Sequence, residues 1–188
     1  MLGVECVEPD DRNGVCMTDG IVDKSGAADN VHVVLTGPDG KIKYEEWGHN
    51  LVTDYGDDMT STRVFSDAIE IVTGMRLSTA ATAAAKNGAG SYNATGYISG
   101  SQEALDGVAT DATKGAGLGW RITYVCTWAA GDVTNGAIAS VVLTNETPLT
   151  DTAGVAGDTV ARYVFAATID KQAADSLVVT WNLDFLGA

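Results

Sequence analysis

The chain has 188 residues, 45% of them hydrophobic and only 19% charged, and its 25 acidic against 11 basic side chains leave a net charge of −14. That length accommodates one domain with a real core, and so acidic a surface repels phosphate backbones, which excludes general nucleic-acid binding. No stretch approaches the roughly 20 apolar residues of a membrane helix, and the start, MLGVECVEPDD, lacks the basic residues and apolar run of a secretion signal, so a soluble protein made in a cytoplasm is expected.

In chain order, residues 1–30 are polar and acidic, with glycines at 14, 20 and 26 that break any period. They predict an extended arm that orders on a neighbour rather than by itself. Residues 31–47 predict a β-hairpin: VHVVLT runs out, GPDG supplies the turn with Pro38 and Gly40, and KIKYEEW returns. A short helix is expected over residues 54–67, with Met59, Val64 and Phe65 on its buried side and Asp57 and Asp58 near its first turn. Alternation over residues 69–77 predicts a strand with Ile69, Ile71 and Thr73 on one face.

From Ser78 to Gly119 the chain is mostly Ala, Gly, Thr, Ser and Asn. The run ATAAAKN has the composition of a helical turn or two, while its flanks argue for long loops of the kind that serve function or subunit contact. The strongest signal is Trp120 to Trp128, WRITYVCTW, in which Trp120, Ile122, Tyr124, Cys126 and Trp128 share one face of a strand. Residues 137–144, 159–168 and 176–186 predict three further strands, the last repeating the design with Leu177, Val179, Trp181, Leu183 and Phe185. Two such aromatic faces must cover each other or be covered by a further sheet. The fold class is therefore mainly β: an antiparallel β-sandwich or barrel-like domain over residues 31–188, an N-terminal arm over residues 1–30, and one short helix.

Chemistry is scarce. His32 and His49 fall in different elements with no Cys or Glu at zinc-ligand spacing, and turn or surface positions are their default. The spaced glycines 115, 117 and 119 precede a strand, so no helix N-terminus is there to hold a phosphate. Asp54, Asp57 and Asp58 form the best cation candidate, against which stands their ordinary use as a helix cap or a solvated face. Cys6 and Cys16 either bridge a small loop or stay free thiols, and Cys126 is expected to be buried and inert. Asn93-Ala-Thr95 and Asn145-Glu-Thr147 match glycan sequons inside loops rich in those residues. Trp47, Trp120, Trp128 and Trp181 could stack on sugars, but the last three lie on expected core faces. No catalytic, cofactor-binding or metal-binding residue is assigned, and no enzyme is expected.

Three stretches carry a resemblance: GPDGKIKYEEWGHNLVTDYG, GWRITYVCTWAAGDVTNGAIASVVLTN and VARYVFAATIDKQAADSLVVTWNLDF. Their P-D-G-K hairpin, N-L-V-x-x-x-G turn, A-G-x-x-T turn, A-R-x-x-F strand and closing K-x-A-x-D-x-L-x-x-T-W strand resemble a loose group of bacteriophage virion proteins. The resemblance spans residues 37–185 and leaves the Ala/Gly-rich middle loosely constrained. It implies a non-enzymatic structural role in the virion, first as a head decoration (cement) protein. The implied partner is then the major capsid protein, with other virion proteins or its own copies also possible partners, and neither nucleic acid nor membrane. The second implied role is a neck, tail or fibre component. A carbohydrate-binding β-sandwich module is the alternative from another class.

Overall fold

The computed structural model describes residues 30–66, 70–93, 95–113 and 120–185. The expected arm, Cys6, Cys16, and the glycines at 115, 117 and 119 lie outside the described residues. Among the described residues ten strands run in chain order: β1 Val31–Thr36, β2 Ile42–Gly48, β3 Leu51–Val52, β4 Gly74–Ser78, β5 Glu103–Ala104, β6 Thr110–Thr113, β7 Trp120–Trp128, β8 Asn135–Thr144, β9 Thr159–Lys171 and β10 Ser176–Phe185. They also hold one α-helix, α1, over Asp54–Phe65. The strands form two five-stranded sheets, β2-β1-β10-β7-β6 and β3-β9-β8-β4-β5, with antiparallel pairing throughout. The architecture is sandwich-like and mainly β, as expected.

The hairpin turn is built as its residues dictate. Gly40 takes a φ of 76°, Gly37 N donates to Lys41 O at 2.8 Å, and Asp39 Oδ1 accepts from Lys41 N at 3.1 Å. The helix starts where Thr53 caps it, its Oγ1 accepting from Gly56 N at 3.0 Å and donating to Thr159 O at 2.6 Å. That second bond seats α1 on β9. Met59 is buried, as expected; the side chains of Val64 and Phe65 lie outside the described residues.

β7 has the expected bounds, and its partner in the aromatic design is its neighbour. Trp128 pairs with Leu177, Cys126 with Val179, Tyr124 with Trp181 and Ile122 with Leu183. The two aromatic faces therefore lie side by side in one sheet, and the second sheet covers them with Met75, Leu77, Val141, Leu143, Ala161 and Tyr163. Trp128 and Trp181 have no exposed surface, but Trp120 is 53% exposed. Alternation places Trp120 on the same face as Tyr124 and Trp128, yet as the first residue of β7 it stays exposed.

Other expectations are corrected. The strand read at 69–77 forms only over Gly74–Ser78, and all five of its residues are buried, because it has a strand on each side and layers on both faces. Ile71 is exposed, Val72 is buried, and Ile69 lies outside the described residues. The strand read at 137–144 begins at Asn135, and the one read at 159–168 continues to Lys171. The ATAAAKN run forms no helix; the backbone on either side of it, at Ala80 and Gly90, is held by side chains of the sheet beneath, described below. Two short strands, β5 and β6, interrupt what reads as one long loop.

Both indoles of the core are predicted to be stability-determining, and unequally so. Trp128→Ala and Trp181→Ala should each cost about 3–5 kcal/mol in denaturant unfolding. Trp128 Nε1 donates to Ser101 O at 2.9 Å, whereas Trp181 Nε1 has no partner among the described residues. Trp128→Phe should therefore cost about 1–3 kcal/mol more than Trp181→Phe, since it orphans a buried carbonyl. Equal losses would show that the Ser101 bond contributes nothing.

Candidate functional site

The two outer faces of the sandwich are treated differently. On the second sheet, Arg76, Val142 and Arg162 stand in a row across β4, β8 and β9, with Ser140 beside them, and all four are buried. Their cover is the small-residue segment 79–93. Arg162 donates to Gly90 O and to Ala80 O, each at 3.0 Å, and Ser140 Oγ donates to Ala80 O at 2.8 Å. Burial pushes the Arg162 pKa below its ordinary value. Small side chains are what let this backbone come down onto the sheet. A Cβ on Gly90 would stand 2.6 Å from Ala85 Cβ and 2.7 Å from Ala83 O.

Carboxylates fasten the rest of the cover. Arg76 pairs with Glu146, lies 3.6 Å from Asp158 Oδ2, and donates to Thr144 Oγ1 at 3.1 Å. Burial raises the Asp158 pKa. Asp151 accepts from Tyr97 Oη at 2.7 Å, Gly100 N at 2.8 Å and Ser99 Oγ at 2.9 Å. The Gly100 amide above all, with the two hydroxyls, holds the Asp151 carboxyl below its usual range. The same pair, after burial, pushes the Tyr97 phenol up to about 12.

The acidic group weighed as a cation candidate or a helix cap and solvated face lies here. Asp57 pairs with Lys86, Asp54 accepts from Asn87 Nδ2 at 2.9 Å, and Asp54 N donates to Lys86 O at 2.9 Å. Helix and cover are thereby clamped together, and Asp58 remains on the exposed side. Among the described residues no group of three or more His, Cys, Asp or Glu could hold a metal ion. A dent of about 110 Å³ in the cover is lined by Ala80, Thr82, Ala89, Tyr92 and Thr95, a set without carboxylate, histidine or cation. Both sequon asparagines are buried: Asn93 Oδ1 accepts from Gly154 N at 2.7 Å, and Asn145 Nδ2 donates to Tyr55 Oη at 2.9 Å. Cys126 is buried and free, with its thiol pKa pushed up by burial.

The outer face of the first sheet is the opposite case. Val34, Val178, Val125, Thr180, Thr123 and Thr127 lie on it half-buried, and no described strand or helix is layered over it. At its β2 corner the His32 ring stacks on Trp47, centroids 3.9 Å apart and planes 7° from parallel, and His32 Nε2 lies 2.9 Å from Glu45 Oε1. Trp47 is 52% exposed. His49, just after β2, is exposed. Of the four tryptophans weighed for sugar stacking, Trp128 and Trp181 are spent on the core.

Sequence reasoning passes over the residues that matter most for the cover: Arg76, Arg162 and Asp151. The available signal is a lone cation inside an apolar strand, GMRLS and VARYVF, in a chain with few cations. No protein-family model matches this chain, and neither a curated protein nor a solved structure does.

Two outcomes are expected. In Arg162→Met, hydrogen exchange over residues 79–93 should accelerate while the core strands keep their protection; unchanged exchange would mean that the apolar contacts alone hold the cover. For Tyr97, a phenol with a raised folded pKa contributes stability below its ordinary pKa of 10.0, which is lost as pH rises towards about 12. The Tm difference between the wild type and Tyr97→Phe should be constant from above the carboxyl range up to pH 10 and shrink as pH rises from 10 towards about 12. Asp151 has the reverse sign: its contribution is present above the ordinary carboxyl range and fades as pH falls through its lowered pKa.

Proposed function

We propose that this chain is a non-enzymatic structural protein of a phage virion, a decoration protein that stabilises the head by binding the major capsid protein. The observation that carries the reading is the contrast between the two outer faces. Among the described residues one is roofed by a fastened cover, while no strand or helix is layered over the other, a five-stranded surface with an exposed aromatic corner. A protein that acts by contact needs a rigid body and such a surface, and it needs no reactive cleft. The resemblance of residues 37–185 to phage virion proteins points the same way. An acidic surface steers the chain towards basic partners, and many copies on a shell can act together even when each contact is weak.

A neck, tail or fibre role is the second reading within the same class. It differs in oligomer, since rings or elongated trimers serve those positions. Light scattering on the purified protein, followed by sedimentation with empty heads of the phage that encodes it, separates the two. A monomer or small oligomer that pellets with heads and raises their melting temperature is the expected result. A stable ring or trimer that stays in the supernatant would move the assignment to the neck, tail or fibre.

A further inference from the structure

We propose that Asn135 is a site of spontaneous modification, at which the chain closes a succinimide onto Gly136 and reopens it with water as an aspartyl or isoaspartyl residue. Asparagine is thermolabile, and before glycine most of all, because the following amide reaches the side-chain carbonyl with no Cβ in its way. The tripeptide Asn-Gly-Ala occurs twice, at residues 87–89 and 135–137. The two copies share their chemistry and differ in their surroundings.

At Asn135 the side-chain Oδ1 accepts from Ala137 N at 2.8 Å. Closing that ring folds the carboxamide back over the intervening Gly136 amide, so the electrophilic Cγ is held beside its nucleophile. The Ala137 N–H also faces the oxygen on which negative charge develops as the succinimide ring forms. Asn135 opens β8, and the pairing with β9 is irregular between Asn135 and Ile138, so no regular ladder fixes the backbone there. Gly136 and Ala137 are exposed, which admits water. At Asn87 the carboxamide is turned to another element: Nδ2 donates to Asp54 Oδ2 of α1 at 2.9 Å, and among the described residues Oδ1 takes no cap bond from the short turn Gly88–Gly90. Asn87 is the more exposed of the two, and exposure alone would favour it.

In the ring closure the bond from Gly136 N to Asn135 Cγ forms and the Cγ–Nδ2 bond breaks. The nitrogen leaves as ammonia, with the proton that the Gly136 amide gives up. Water then adds to either ring carbonyl, giving aspartate by one opening and isoaspartate by the other; it is the sole co-reactant. The product places a new negative charge at the start of β8, opposite Lys171 in the ladder. Because the register is already irregular up to Ile138, the extra backbone atom of the isoaspartyl product is taken up there and leaves the regular pairing of Ser140 to Leu143 in place.

The inference does not rest on the virion reading. The test incubates the whole chain in mildly alkaline buffer, once folded and once in denaturant, and follows the acid formed at each asparagine by peptide mapping with mass spectrometry. In the folded chain Asn135 should convert about ten-fold ahead of Asn87, and in denaturant, where only the shared tripeptide remains, the two should convert together. Gly136→Ala should suppress conversion at Asn135 and leave Asn87 unchanged; the added Cβ would stand 3.4 Å from Asp170 Oδ1, an ordinary contact, so the fold is kept. Asn87 converting first or level with Asn135 in the folded chain would overturn the assignment. So would a lead that persists undiminished in denaturant, since flanking sequence and not geometry would then set it, or conversion at Asn135 that survives Gly136→Ala at the same rate.

Discussion

Arg162 has no exposed surface, and no carboxylate pairs with it among the described residues; two backbone carbonyls, of Ala80 and Gly90, receive its guanidinium. Burying such a cation is expensive unless its donors are met. Burying an irregular backbone segment is expensive for the mirror-image reason, since its carbonyls lose water without gaining a ladder. Each problem answers part of the other: the terminal nitrogens of Arg162 are met by the carbonyls, while its Nε has no partner among the described residues. Residues 79–93 can lie on the second sheet because Arg162 and Ser140 supply the donors that a neighbouring strand would otherwise provide. Lys171 repeats the arrangement at one end of the sandwich: buried, with its pKa lowered by burial, it donates to Ala129 O at 3.0 Å and Asp132 O at 2.8 Å. It thereby ties the β7–β8 turn to the end of β9.

The same logic explains why β2, the edge of the first sheet, is a poor template for uncontrolled pairing. Glu46 points inward and accepts from Tyr163 Oη at 2.6 Å and from Ala166 N at 3.1 Å, which fastens β2 to β9. The ladder with β1 slips between Leu35 and Thr36, opposite Tyr44 and Ile42, so the edge is irregular at that point. An inward carboxylate and a bulge are recognised devices against edge-to-edge association. What β2 leaves available is a side-chain surface at Trp47 rather than a row of unpaired amides.

Much of this fold is legible locally. The period of two in WRITYVCTW, the GPDG turn and the acidic first turn at Asp57 and Asp58 mark elements through forces acting within a few residues. What the residues do not disclose is adjacency. The β7–β10 pairing joins segments some fifty residues apart, and nothing in either strand distinguishes a neighbour from a facing partner. Exposure at strand ends is equally hidden, which is why Trp120 reads as core and is not. The cover is the hardest case. Its Ala and Gly composition speaks of helix or loop, while its conformation is decided by Arg162, about 80 residues downstream. The candidate surface was partly visible: Trp47 stands out as a tryptophan, but its stacking on His32 follows only from the β1–β2 register.

The placement of Asn30 has a mechanical consequence. Asn182 N donates to Asn30 O at 2.7 Å, so β1 starts beside the end of β10, which closes at Phe185. Tension applied at these two points pulls the strands apart from one end, loading their hydrogen bonds in succession rather than all together. The seam between β1 and β10 is thus a zipper under axial load, although it lies inside the sheet and its inward side chains are fully buried. A pull applied at Asn30 and Phe185 therefore opens this seam one hydrogen bond at a time.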